Sequence, residues 1–313
     1  MMTPRAVSAT APGSIGNIGP GLDILGLAVA GRGDTVIAEP MSGGTIVVAD
    51  PGHPDLPTDP DRHSSAIAAR EVIRQAGAVG FGVRLTVRKG LALSGGQGGS
   101  GASAGAGAAA MNALLGSPLG VPQLLLACLV AEEAVAGRHA DNVAPSLMGD
   151  AVLIRSLDPV DAIRLRVPEA LRIVLAYPDQ RLRTRDAREV LPTTVSLETA
   201  LRQAAAIAGI VAALGSGDLA LLGRCIEDGI AEPARAPLLS GFTEAKAAAL
   251  AAGALGASIS GAGPTAFAFA ADDATAELVA AAMTAAYRAA GLSCQARVAQ
   301  PDHHGVRIIE GAS

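Results

Sequence analysis

The sequence predicts an α+β protein of two domains. Strand-period and helix-period segments are mixed along the chain without a regular βαβ alternation. The character of the chain changes at residues 155–165, where glycine-rich loops and Ala-rich helices give way to an Arg-rich stretch and long helices. Half of the 313 residues are apolar, which is enough to build cores for two ordinary domains. The expected domains are 1–158 and 159–313.

Short β-rich runs come first, at 5–11, 24–30, 33–40 and 44–49, punctuated by Gly and Pro. Arg62 to Gln75 reads as an amphipathic helix, with Ala66, Ile67 and Ile73 on one side and Arg62, Arg70 and Arg74 on the other. Val83, Leu85 and Val87 alternate with Arg84, Thr86 and Arg88, the pattern of a half-buried strand. A Gly/Ser loop at 94–101 leads into an Ala-rich helix ending near Leu115. Further helices are predicted at 121–135 and, in a short piece, beyond Asp141. Strands follow at 161–167 and 171–177, then an Arg-rich loop at 181–188. Helices are expected at 194–213, 217–228 and 242–253. The chain then reads strand (256–260), glycine turn (261–264), strand (265–271), helix (273–290) and strand (293–299). Asp272 or Asp273 is placed to cap that last helix.

Composition excludes several classes. The formal charge of −5 argues against binding a phosphate backbone, so no nucleic acid is expected as partner. Of 24 basic residues only Lys89 and Lys246 are lysines, and neither lies in a Gly-Lys-Ser/Thr phosphate loop. The protein-kinase motifs are absent as well. Cys128, Cys225 and Cys294 form no Cys-x-x-Cys pair and suit buried thiols in a reducing cytoplasm. No His-Glu-x-x-His motif supports a zinc enzyme. The uncharged runs at 90–131 and 247–271 are broken by Gly, Ser and Pro, so no membrane span is expected from them.

Five stretches could carry chemistry. Ser94-Gly95-Gly96-Gln97-Gly98-Gly99-Ser100-Gly101 lies between a strand and a helix, where glycines admit a ligand to backbone N–H groups at a helix start. Phosphate binding without any lysine suits it; the alternative is a flexible connector. Gly96, Gly98 and Gly101 also spell a dinucleotide fingerprint, but the acidic residue this requires about 20 positions on is missing. The next carboxylate is Glu132. The second stretch, Ala11 to Asp23, is read as a loop shaped round a polar ligand, with Asn17 and Asp23 as its polar groups, or else as a tight turn. In the third, Glu132 stands one helix from the phosphate loop, where a magnesium ligand belongs, and His139, Asp141 and Asn142 follow. The fourth pairs the Arg181–Arg188 segment with Arg235, set between prolines, whose fork suits a carboxylate. The fifth is the turn Ser260-Gly261-Ala262-Gly263-Pro264, which is otherwise a plain hairpin.

Together and in this order the five stretches resemble the GHMP small-molecule kinase superfamily, and within it the homoserine kinase branch. The most specific match is His139-Ala-Asp-Asn-Val-Ala-Pro145, supported by Asn17-Ile-Gly-Pro-Gly-Leu-Asp23, Thr184 with Arg188, Glu232-Pro-Ala-Arg235 and Ser260-Gly-Ala-Gly-Pro264. The resemblance implies an N-terminal ribosomal-protein-like domain, a C-terminal ferredoxin-like domain and an active site between them. It implies ATP-dependent phosphorylation of L-homoserine to O-phospho-L-homoserine on the path to threonine, in a cytoplasmic protein that forms a homodimer. By the same resemblance, residues 94–101 wrap the ATP phosphates and His63 lies near the adenine. Ser100 and Glu132 hold magnesium. Asn17, Asp23, His139, Thr184, Arg188, Arg235 and Gly261 bind the amino acid, with Asn142, Asp141 and Arg188 at the reacting centre.

That set agrees with the chemistry of a zwitterion, which needs an anion for its ammonium and arginines for its carboxylate. Mevalonate-type kinases carry an Asp base where Asn142 stands, so catalysis by positioning and charge stabilisation is expected. The chain departs from the family pattern Gly-Leu-Gly-Ser-Ser-Ala, because residues 96–101 read Gly-Gln-Gly-Gly-Ser-Gly. Ala92 replaces a Pro, and His63 replaces an Asn. Another GHMP-type kinase, or a degenerate non-catalytic binder, are the alternative readings.

Overall fold

The computed structural model describes residues 6–309, so Arg5, the first residue of the first predicted strand, lies outside it. The first half runs β1 (Val7–Gly16), β2 (Leu25–Met41), β3 (Ile46–Asp50), α1 (Ser64–Gln75), β4 (Gly82–Arg88), α2 (Gly99–Leu114), α3 (Val121–Val135), α4 (Val143–Met148), β5 (Ala151–Leu157) and β6 (Val160–Leu165). The second half runs β7 (Arg172–Pro178), α5 (Thr184–Glu189), α6 (Leu197–Ser216), α7 (Leu219–Arg224), α8 (Ala231–Arg235), α9 (Phe242–Ala251), β8 (Gly256–Ile259), β9 (Ala266–Ala270), α10 (Asp273–Ala289), β10 (Cys294–Ala299) and β11 (Arg307–Ile309).

The first sheet has the order β11-β1-β2-β4-β3, with β5 joined to the start of β2 and β6 to β5. Its helical cover is made of small side chains. Ala102, Ala104, Ala106, Ala108 and Ala110 of α2 have no exposed surface, as expected for a helix apolar all round and packed on every side. Small residues also let helices touch: a Cβ on Gly107 would come within 2.6 Å of the Ser65 carbonyl of α1. This dense Ala/Gly contact fills the core of a chain that has only four Phe, two Tyr and no Trp.

The second sheet is antiparallel, in the order β10-β7-β9-β8. Strand alternation sorts its side chains into two cores. Val174, Ala176, Ala266 and Ala268 face Phe242 of α9 and Met283 and Tyr287 of α10. Ile173, Leu175, Phe267 and Phe269 face the other way, onto Ile15, Leu25 and Leu27 of the first sheet and Ile210, Leu214 and Leu222 of α6 and α7. The halves therefore share a continuous apolar core. Caps fix the long helices: Ser196 accepts from Thr199 N, and Asp272, not Asp273, accepts from Thr275 N.

Several expectations need correction. The runs at 24–30 and 33–40 form one strand, β2, which absorbs Gly31 in a bulge opposite Pro12 and Gly13. Residues 11–16, read as loop, are the end of β1. Residues 184–189 of the Arg-rich loop form α5. The strands β5 and β11 have no counterpart in the predicted elements. The boundary at 158/159 falls in the turn between β5 and β6, which pair in the same sheet, and β11 returns to β1 from the far end of the chain. Among the described residues, α6 is the one helix long and apolar enough to cross a membrane; 22% of that stretch is buried, with Ile210, Ala213 and Leu214 packed inward.

Candidate active site

A cleft of about 1210 Å³ runs between the halves, and its wall brings together every site residue predicted from the sequence except Gly101. Gly101 sits just behind the wall in the first turn of α2, where a Cβ would press on Val143 at 3.2 Å.

One end of the cleft is built by the glycine loop. Gly98 precedes α2 with φ +67°, and no side chain caps the helix, so its first N–H groups are left for a ligand. Gly96 has φ +71°, and a Cβ there would stand 2.6 Å from the Ser260 carbonyl; one on Gly98 would collide with Ser14 Oγ. Glycine is therefore required at both positions by conformation and by space. The loop is pinned from both halves. Ser14 N donates to the Gln97 carbonyl at 3.0 Å. Ser260 Oγ donates to the Gly96 carbonyl at 2.5 Å, and Thr265 Oγ1 donates to that of Gly95. Such a loop is preorganised, which the sequence alone does not convey.

Lys89 stands outside the loop, which carries no lysine of its own, but it braces the end of that loop. Its ammonium lies beneath the loop, bonded to Asp34 Oδ2, to the Gly99 carbonyl at 3.2 Å and to Ser103 Oγ at 3.1 Å. Asp34 is wholly buried and also accepts from Ser103 Oγ at 2.7 Å and from the N–H groups of Gly90 and Leu91. Two buried charges with every lone pair and proton engaged form a rigid joint between β2, β4 and α2. The available signal was slight: a lysine closing the strand ahead of the loop.

Glu132 on α3 reaches the same end. It is 2% exposed, its Oε1 accepts from Ser100 Oγ at 3.0 Å, and its Oε2 is buried without a partner. Burial raises its pKa, against the opposing pull of His139 and the Ser100 hydroxyl. The neighbouring Glu133 points away to the surface and pairs with Arg138 at 2.8 Å. His63 lies on the loop side of the cleft, near Lys89 and Asp34, as the N-cap of α1, with Ser65 Oγ 2.9 Å from its Nδ1; burial lowers its pKa.

The other end of the cleft is a charged corner. His139 Nδ1 is 3.1 Å from Asp141 Oδ1, and its Nε2 is buried without a partner. Burial opposes charge on the ring, but the bond to Asp141 and the two nearby carboxylates outweigh it and raise its pKa. Asn142 is the N-cap of α4, and its Oδ1 accepts from Ser14 Oγ at 3.0 Å. The approach of this segment to β1 and β2 requires glycine: a Cβ on Gly26 would overlap the Asp141 carbonyl, and one on Gly16 would stand 2.5 Å from Asp141 Oδ2. Asp23 joins the corner, and ligand atoms of Asp23, His139 and Asp141 lie within 4.8 Å of one another.

Opposite stand two arginines. Arg188 on α5 donates to both carboxylate oxygens of Asp23, at 3.0 and 2.7 Å, and Thr184 lies one turn earlier on the same helix. Arg235 is 3% exposed, and its Nε and Nη1 donate to the carbonyls of Ala187 at 3.0 Å and Gly261 at 2.9 Å. The Gly261 carbonyl also accepts from Asn17 Nδ2 at 3.1 Å, and its N–H donates to the Gly16 carbonyl. Gly261 thus ties the second-half turn to the first half. Glu232, which pairs with Lys246 and accepts from Ser258 Oγ at 2.6 Å, anchors the helix carrying Arg235.

A doubly anchored glycine loop at a helix N-terminus, a carboxylate one helix away and a facing charged corner define a small-molecule kinase site. The models for the GHMP kinases N terminal domain and the GHMP kinases C terminal match residues 64–150 and 210–289. The homoserine kinase of Chlorobaculum tepidum is 39% identical, over 99% of this chain and all of its own. That of Arabidopsis thaliana is 39% identical over 98% of this chain and 86% of its own. The crystal structure of the homoserine kinase of Cytophaga hutchinsonii superposes with a TM-score of 0.93 at 35% identity, covering 99% of this chain and 98% of that one. The fold is that of the GHMP kinases, a family that uses ATP. Within that class, the chain belongs to the homoserine kinase family.

Proposed function

We propose that the chain transfers the terminal phosphoryl group of ATP to the hydroxyl of L-homoserine, giving O-phospho-L-homoserine for threonine synthesis. One observation carries this function: a single cleft joins an anion-binding glycine loop to a corner where Asp23 and Asp141 oppose Arg188 and Arg235. Sugars carry neither charge and mevalonate carries no ammonium, so neither uses both halves of such a corner. The first N–H groups of α2 and the loop backbone hold the phosphates. Asp23 takes the ammonium, with Asp141 beside it, and Arg188 and Arg235 take the carboxylate. Asn17 and Gly261 fix the walls between them. Asn142, Asp141 and Arg188 orient the hydroxyl, and His139 holds Asp141 in place. With no free carboxylate base at position 142, the rate comes from alignment and from charge stabilisation.

The residues near the loop fit magnesium. Glu132 presents a buried carboxylate oxygen with no hydrogen-bond partner beside the hydroxyl of Ser100, a hard oxygen donor set for a hard cation. Ser100 and Glu132 would hold the ion, which when bound neutralises charge on the transferring phosphoryl group. The three cysteines are free thiols, in keeping with a cytoplasmic protein, and a homodimer is the expected assembly.

A coupled ADP-release assay tests the function with homoserine, serine, threonine, mevalonate and galactose as acceptors. Homoserine should exceed every other acceptor at least a hundredfold in kcat/KM. A preference for mevalonate or galactose would reassign the chain within its superfamily.

A further inference from the structure

We infer that Asp23 serves as an internal stand-in for the substrate carboxylate on Arg188, so that only a ligand bearing both an ammonium and a carboxylate opens the pair efficiently. This inference rests on the homoserine reading and adds to it a selection step between charge types. Arg188 uses both terminal nitrogens on the two oxygens of Asp23, the fork geometry by which an arginine holds any carboxylate. The substrate's two binding groups are thus bound to each other across the cleft, 165 positions apart in sequence.

The geometry of Asp23 is built. Its backbone has φ +61°, a left-handed conformation, and its N–H donates to Asn17 Oδ1 at 3.2 Å. A turn that holds the backbone this way aims the carboxylate into the corner rather than leaving it to wander. The pair is also easy to open. The side chains of Arg188 and Asp23 remain 34% and 38% exposed, and such half-solvated pairs contribute little to stability. The Lys89–Asp34 pair beneath the loop is the contrast, 7% and 0% exposed and locked.

Opening has a different consequence for each kind of ligand. An anion without an ammonium releases Asp23 from Arg188 and leaves it unpaired near the Asp141 carboxylate, where like charges repel. A cation without a carboxylate takes Asp23 and leaves the Arg188 guanidinium facing that of Arg235, which already feels the charge of Arg188. A zwitterion replaces one ion pair by two. The two ends of the substrate are therefore coupled through Asp23 and Arg188, and abundant hydroxy acids and amino alcohols are refused.

The test compares homoserine with 4-hydroxybutyrate, which lacks the ammonium, in the wild type and in Asp23→Asn. Asparagine tolerates a positive φ, so the turn is kept. The variant should lose at least a hundredfold in kcat/KM for homoserine while gaining at least tenfold for 4-hydroxybutyrate, because Arg188 is no longer occupied. An active wild type whose variant shows an unchanged or lower rate with 4-hydroxybutyrate would overturn the exchange alone. A wild type inactive on homoserine would overturn the reading beneath it. Calorimetry on the wild type with 4-hydroxybutyrate and methylammonium, which is small enough to sit beside it at Asp23, gives a readout independent of any variant. Each should bind at least tenfold more tightly in the presence of the other, and independent binding would count against the exchange.

Discussion

Ser100 on the first turn of α2 and Glu132 on α3 are joined by a hydrogen bond of 3.0 Å, and the second oxygen of Glu132 is buried with no partner. The pair links the phosphate loop to the helix behind it and leaves one carboxylate oxygen unspent. Adjacent helical residues point about 100° apart, so Glu133 cannot share this position. It faces solvent and Arg138.

Glu132→Gln should raise the magnesium concentration needed for half-maximal rate at least tenfold and lower kcat. Glu133→Gln removes only a half-exposed pair and should stay within twofold of wild type, with a stability change of about 0.5 kcal/mol or less. Ser100→Ala should be the most damaging single change in the loop, because Gly99 offers no hydroxyl in its place. A magnesium titration of the three variants at saturating homoserine checks the rates, and chemical denaturation of Glu133→Gln checks its stability.

Lys89→Met leaves the wholly buried Asp34 carboxylate without its cation, a loss that costs about 3–5 kcal/mol in comparable sites. Chemical denaturation should show it. The damage reaches function through Gly99, so the KM for ATP should rise about tenfold or more while that for homoserine moves little. Adding Asp34→Asn removes the orphaned charge and should recover about half of the lost stability, a coupling that a double-mutant cycle measures directly.

The glycines of the loop are unequal. Gly98→Ala places a Cβ on a residue with φ +67°, into Ser14 Oγ, and should lower ATP affinity at least tenfold. At Gly99 the nearest atom to a new Cβ is Lys89 Nζ at 3.4 Å, ordinary contact distance, and φ is not positive. Gly99→Ser, which restores the family residue, should therefore bind ATP as well as wild type or more tightly. Calorimetric titration with a non-hydrolysable ATP analogue and magnesium separates the two.

Arg235→Ala removes a charge-assisted contact with the substrate carboxylate worth about 1.5–3 kcal/mol, a roughly tenfold to hundredfold loss in kcat/KM for homoserine. The KM for ATP should stay within twofold. The same change leaves the carbonyls of Ala187 and Gly261 without a donor, so thermal unfolding of the variant has to be measured alongside its kinetics.

Much of the fold was legible because its long elements are strongly periodic or sharply punctuated. α3 begins and ends where Pro122 and Gly137 imply, and β9 shows its alternation in Ala-Phe-Ala-Phe-Ala. The errors share one physical origin. Gly31 and Arg32 read as a break between two strands, yet pairing with β1 on both sides of the bulge carries β2 across them, and β4 joins from Thr35 onward. β11 is three residues long and exists only because β1 offers it an edge. The same holds for the site. The glycine loop and the 139–145 motif are local in sequence and could be read there. The joint of Asp34 with Lys89 and the pair of Asp23 with Arg188 are made by residues 55 and 165 positions apart, and only folding brings them together.

The most direct test of the proposed function is to follow a mixture of the protein, L-homoserine, ATP and magnesium by phosphorus NMR. The account predicts a new phosphomonoester resonance that matches authentic O-phospho-L-homoserine and grows in step with ADP, with no such signal when homoserine is omitted. Release of ADP or inorganic phosphate without that ester, or an ester formed equally well on serine or mevalonate, would contradict it.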